Sequence, residues 1–178
     1  MKTVKFLMYG LFLILTVSCS ISLSQKAPLD LKLELRESEV HSVNEIRGVI
    51  TLTNQSDSPL LVHSRLHISP QQAPPSDSEL LLFVYDSSGN LIDRSNIKVE
   101  YEYPSEKTLT MLEPGKKTIA TFILSVWFLP GELLTGETYT IKCVYQNEID
   151  IKKTYDGMEV LSWVGTIQSN EETFIILP

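Results

Sequence analysis

From Leu29 onward, hydrophobic side chains fall on every second residue. Leu29, Leu31, Leu33 and Leu35 alternate with Asp30, Lys32, Glu34 and Arg36. A period of two places the leucines on one face of an extended chain and the charges on the other. On a helix the same leucines would scatter around the axis. Residues 47–53, 60–68, 79–85, 108–112, 118–128, 138–145, 160–168 and 173–177 continue in this way and are predicted strands. Turn signals separate them. Residues 69–78 hold Pro70, Pro74 and Pro75 and must loop, and residues 129–137 hold Pro130, Gly131 and Gly136 and read as a connection. Asp86-Ser87-Ser88-Gly89-Asn90 predicts a tight hairpin with Gly89 at positive φ and Leu91 pairing back. Glu113-Pro114-Gly115-Lys116 predicts another turn. No segment of ten residues carries a helical face. The expectation is an all-β chain, an antiparallel sandwich of about eight or nine strands spanning residues 29–178 as one domain.

The N-terminus follows different rules. Lys2 and Lys5 precede an almost wholly apolar run over residues 6–17, closed by Ser18 and Cys19. That run is shorter than the roughly 20 residues a lone spanning helix needs. A basic start, a short apolar stretch and a small residue describe a secretory signal. Leu15-Thr16-Val17-Ser18-Cys19 resembles the lipobox of bacterial lipoproteins at Val17, Ser18 and Cys19, while Thr16 departs from the usual leucine. The resemblance implies cleavage of residues 1–18, lipidation of Cys19, and a Ser-rich tether over residues 19–28. It places the protein in a bacterial cell envelope, held at a membrane by its N-terminal acyl chains. Ser20 after the cysteine implies the outer membrane if the source is Gram-negative. Each buried methylene contributes about 0.8 kcal/mol to such an anchor.

Composition sharpens this. The chain has 178 residues, 43% hydrophobic and 21% charged, and a net charge of −7 with no basic run. Nucleic acid is excluded as a partner on that balance. Loss of Lys2 and Lys5 leaves the mature chain two charges more acidic, which disfavours contact with anionic head groups. Of the two cysteines, lipid takes Cys19, so Cys143 has no partner for an intrachain disulfide. Cys143 lies in an alternating segment and is expected to be a buried, inert thiol.

Gly48-Val49-Ile50-Thr51-Leu52-Thr53-Asn54, the hairpin around Gly89, the turn at Pro114-Gly115 and Gly136-Glu137-Thr138-Tyr139-Thr140 resemble bacterial immunoglobulin-like β-sandwich domains. Among these is the family named for an intracellular proteinase inhibitor. The resemblance implies an immunoglobulin-like sandwich and offers inhibition as one activity.

Catalytic chemistry is hard to find. His63 and His67 have the closest ligand-like spacing of the three histidines, but on one strand they stand about 13 Å apart. No third ligand is evident, so surface histidines are expected and no metal is assigned. Asp86, Ser88 and Asn90 alternate as in a calcium loop, yet position twelve is Ile97. Glu34, Glu37, Glu39, Glu171 and Glu172 read as solvated acids. There is no phosphate-cradling glycine loop and no nucleophile elbow. Trp127 and Trp163 read as core. No cofactor is implied. The sequence therefore predicts a non-enzymatic, lipid-anchored module presenting its sandwich to a protein or a surface polymer. Gln71, Gln72, Pro74 and Pro75 in the proline-stiffened loop, and Tyr101 and Tyr103 on a sheet face, are the candidate contact residues. The alternative is a protease inhibitor acting through that same proline-rich loop.

Overall fold

A computed structural model describes residues 27–70, 79–92, 104–129 and 131–178. Cys19, Gln71, Gln72, Pro74, Pro75, Tyr101 and Tyr103 all lie outside the described residues.

Two sheets face each other. The smaller has the order β1-β3-β8, formed by β1 (Leu29–Leu35), β3 (Arg47–Asn54) and β8 (Lys117–Ile123), all antiparallel. The larger has the order β2-β13-β9-β6-β5, with β12 also paired to β9. Its members are β2 (Glu39–Val40), β5 (Ile68–Pro70), β6 (Leu80–Tyr85), β9 (Thr138–Asn147), β12 (Gly165–Gln168) and β13 (Glu172–Ile176). Two short ladders complete the described residues. One pairs β4 (Leu60–His63) with β7 (Leu109–Leu112), the other β10 (Lys152–Tyr155) with β11 (Met158–Leu161). The protein is an all-β sandwich built chiefly from antiparallel pairs; β2 with β13 and β5 with β6 run parallel.

The leucine alternation in β1 does what its period demands. Leu29, Leu31 and Leu33 are buried and their neighbours exposed. They meet Ile50 and Leu52 of β3, Leu82 and Val84 of β6, Ile141 and Cys143 of β9, and Phe174 of β13 in one continuous core. β6 reads Leu-Leu-Leu-Phe-Val-Tyr because it lies inside the larger sheet between β9 and β5, covered on both faces over most of its length. At the start of β9, the Leu134 backbone N–H donates to the Tyr139 hydroxyl at 2.6 Å, and that hydroxyl reaches back to the Leu134 carbonyl. This is the tyrosine-corner arrangement of immunoglobulin-like sandwiches.

Thirteen strands are present among the described residues, more than expected, because two predicted runs each divide into two strands and β2 and β10 fall outside the predicted runs; a third run ends early. Residues 60–68 split into β4 and β5 at a turn where Leu66 has φ 47° and is buried. The break lets the chain leave the β7 ladder and reach the edge of the larger sheet. Residues 118–128 stop as a strand at Ile123, where the Leu124 N–H donates to the Ile46 carbonyl and a 3-10 turn over Leu124–Val126 follows. Residues 160–168 divide between β11 and β12. The Asp86–Asn90 hairpin stands as predicted, with Gly89 at φ 80° and an isolated bridge from Tyr85 to Leu91.

Strand direction gives the sandwich two distinct ends. The chain enters at Leu29, opposite Asn54, and β1 leaves at Leu35, opposite Gly48. Arg47 pairs with Ile123, His41 Nδ1 lies 3.3 Å from the Pro178 carbonyl, and Ser87 Oγ contacts Glu137. Residues 36–46, 86–90, 124–129, 131–137 and the C-terminus thus gather at the end remote from the chain's entry.

Candidate functional site: a cleft, a buried polar cluster and an apolar end

Among the described residues, β8 is an edge of the smaller sheet and β5 an edge of the larger. A cleft of about 520 Å³ opens between them. Phe122, Val126 and Trp127 form one wall, and Arg65, His67 and Ile68 the other. The rings of Phe122 and Trp127 pack with centroids 6.3 Å apart. Phe122 can lie flat because Gly48 opposite it has no side chain: a Cβ there would sit 2.4 Å from two of its ring carbons.

Behind the polar wall is a cluster that hydropathy patterning misses. Glu79, at the head of β6, is completely buried. Its carboxylate takes a hydrogen bond from Arg65 Nε and another, 2.9 Å, from the His67 backbone N–H. It also lies 3.6 Å from His63 Nδ1. His63 is only 1% exposed. Its backbone N–H donates to the Tyr145 hydroxyl, its ring Nδ1 lies 2.8 Å from Thr108 Oγ1, and its Nε2 lies 3.0 Å from Asn147 Oδ1. Burial pulls the His63 pKa below its ordinary value, with Glu79 opposing. Burial and Arg65 do the same to His67, again against Glu79. Burial pushes the Tyr145 hydroxyl and the Cys143 thiol up. An unpaired carboxylate inside a sandwich is costly, so Arg65 must turn inward, and the left-handed Leu66 sets the bend that lets it.

The expectation of surface histidines therefore fails for His63. It follows Leu60-Leu61-Val62 into the interior, and its two ring nitrogens find partners there. His41 is exposed and His67 half-buried at the cleft. Among the described residues no group of three or more His, Cys, Asp or Glu side chains is arranged to hold a metal ion. Trp127 is buried as expected, while Trp163 is half-buried and stacks on Tyr145 at 5.6 Å. Nothing in the sequence marked Glu79 or Arg65, whose separation of fourteen residues carries no motif.

The remote end carries a second feature. Val126, Leu129 and Leu134 are 49%, 51% and 61% exposed, and Ile123 beside them in sequence is 37% exposed. These belong to or adjoin the connection over residues 129–137, whose charged residues are Glu132 and Glu137. On the broad face nearby, Tyr85, Asp86, Thr138, Thr140, Lys142 and Glu171 line a shallow polar depression, with Lys142 Nζ 4.9 Å from the centre of the Tyr85 ring.

No protein-family model matches the chain, and no curated protein matches it. Among solved structures, it shows a likeness to Bacteroides uniformis β-glucuronidase 2 covalently bound to cyclophellitol-6-carboxylate aziridine. Identity is 9% and the TM-score 0.31, over 81% of this chain and 12% of that one. The chain thus spans about an eighth of that protein, and a likeness this slight says nothing about activity.

Proposed function

We propose that the protein is a non-enzymatic, lipid-anchored module of the bacterial cell envelope that binds a protein partner through the end of its sandwich remote from the chain's entry. One observation carries this reading: Val126, Leu129 and Leu134 each expose a large apolar side chain within nine positions of chain, and the strand order puts the described residues around them opposite the entry at Leu29. A chain tethered through Cys19 has only residues 20–28 before the first strand, a reach of about 30 Å when fully extended. The entry end therefore faces the membrane and the remote end faces outward. Exposed aliphatic side chains at a loop cluster are typical of the desolvated centre of a protein interface.

The test compares three forms of the full-length protein in envelopes: unaltered, Cys19→Ala, and Leu129→Ser with Leu134→Ser. Cys19→Ala is expected to leave the detergent phase for the aqueous phase. The double serine form is expected to stay anchored and folded but to lose the cross-linked species formed by the unaltered protein. Cross-linking that survives the double substitution removes the remote end from the reading. Detergent partition that survives Cys19→Ala removes the lipid anchor.

A second reading, protease inhibition, draws support from the stems of the proline-rich loop. β5 ends at Pro70, and the Leu80 N–H donates to the His67 carbonyl, so both ends of residues 71–78 spring from paired strands. Absence of inhibition across a panel of extracellular proteases at micromolar concentration would eliminate it.

A further inference from the structure

The buried histidine has a hydrogen-bond geometry that two protonation states satisfy differently. Asn147 Nδ2 donates to the Trp163 and Ile149 carbonyls, and its Oδ1 accepts from the Ile149 N–H. That orients the amide, so His63 Nε2, facing Oδ1, must carry a hydrogen in either state. The question is confined to Nδ1. Its neighbour Thr108 Oγ1 has one hydrogen and two acceptors within reach, His63 Nδ1 at 2.8 Å and the Ser105 carbonyl at 2.8 Å. Thr108 Oγ1 already accepts from the Ser105 N–H at 3.1 Å. A neutral imidazole needs the hydroxyl hydrogen for itself. An imidazolium supplies its own and leaves the hydroxyl for Ser105.

We infer that His63 is a proton-operated latch on the 3-10 turn Glu106–Thr108. When a proton from bulk water is taken up at Nδ1, the new N–H donates to Thr108 Oγ1, and the Thr108 O–H swings from Nδ1 to the Ser105 carbonyl. Both side-chain bonds across the turn are then made. When the proton leaves, the hydroxyl turns back to Nδ1 and the Ser105 carbonyl keeps only the Thr108 N–H, at 3.0 Å. The groups facing His63 come from several elements. Glu79, just before β6, draws the proton, and Arg65 of the β4–β5 turn opposes it. Tyr145 and Asn147 of β9 are neutral. His67 meets the same carboxylate through its backbone N–H. On the outer side of the turn, Lys153 of β10 donates to the Glu106 and Leu109 carbonyls. Because Glu79 is shared, a charge on His63 competes with Arg65 for that carboxylate and so reaches the polar wall of the cleft. The latch depends on no partner and stands apart from the binding reading above.

The test is a nuclear magnetic resonance titration of the full-length protein in detergent micelles, labelled at histidine, serine and threonine, from about pH 7.5 to about pH 4.5. At the upper limit His63 is expected as the Nε2–H tautomer. On acidification its ring is expected to titrate with a midpoint below 6.5. The Ser105 and Thr108 amide resonances should move with that same midpoint, and the Arg65 Nε–H should follow. Thr108→Val is expected to abolish the Ser105 response, and Thr108→Ser to retain it. An Nδ1–H tautomer at the upper limit, Ser105 and Thr108 resonances indifferent to His63, or no His63 titration before unfolding would each overturn the latch. The unaltered protein alone decides the matter if Thr108→Val fails to fold.

Discussion

Gly48 offers a direct check on how the cleft wall is built. It occupies an inward-facing position of β3, and its absent side chain is what admits the Phe122 ring. A Cβ at this position would stand 2.4 Å from ring carbons Cε1 and Cζ of Phe122, about 1 Å inside ordinary van der Waals contact. The Glu34 carbonyl oxygen, 3.1 Å from the same Cβ, further limits the room around it. The ring must therefore move, and it borders the cleft. Phe122 is 5% exposed and packs on Trp127, so the shift disturbs a filled interior. Overpacking of this kind costs about 1–3 kcal/mol. For a domain of this size each kcal/mol lowers Tm by roughly 2–4 °C. Gly48→Ala is thus expected to melt several degrees below the unaltered protein, by calorimetry and by denaturant titration with an unchanged m-value. Phe122→Leu removes both clashing carbons. In that background Gly48→Ala should cost far less, giving a coupling on the order of 1–2 kcal/mol in a double-mutant cycle. An equal cost of Gly48→Ala in both backgrounds would refute the reasoning, since the ring would not be what the new methyl meets.

Three further outcomes follow from the same structure. Burial lowers the pKa of both His63 and His67, so the unfolded chain binds more protons than the folded one below pH 6.5; stability is expected to be flat above that pH and to fall as pH drops through the window beneath it, and a Tm that rises on mild acidification would contradict this. Asn170 stitches the β12–β13 turn to the outer edge of β1, accepting from the Leu33 N–H at 2.9 Å and donating to the Leu33 carbonyl at 3.0 Å; Asn170→Ala should cost about 1–3 kcal/mol in denaturant unfolding, and faster amide exchange at Leu33 would locate the loss. Cys143 is buried with its thiol pKa pushed up by desolvation, so it should resist thiol reagents in the native protein and react at once in denaturant, as mass spectrometry would record.

Much of the architecture was legible from local pattern alone. Alternation in residues 29–36 demanded a strand with one wet face, and the residues around Gly89 demanded a hairpin, because side-chain period and positive φ are local properties. A further local signal went unread: Asp156-Gly157, at φ 48° and 82°, closes the β10–β11 hairpin in the way an Asp-Gly pair favours. Local pattern failed where long apolar runs had to be cut. Residues 60–68, 118–128 and 160–168 each look continuous, yet each breaks where a backbone group finds a distant partner, as Leu124 does at Ile46 and Trp163 at Leu61. Such partners are set by which strands meet, and no window of neighbouring residues contains that information.

The division is sharpest at the candidate site. Composition and period were enough for an all-β sandwich, a buried Cys143 and a buried Trp127, since hydrophobic burial scales with the apolar surface each residue carries. They could say nothing about Glu79, His63, Arg65, Thr108 and Asn147, which are ordinary polar residues scattered over 85 positions of chain. A polar side chain is tolerated inside only when its partners arrive with it, and those partners come from β4, the approach to β6, β9 and two turns. Their assembly, and the outward turn of Val126, Leu129 and Leu134 at the end remote from Leu29, were decided by strand order and register, which exist only once the whole chain has folded.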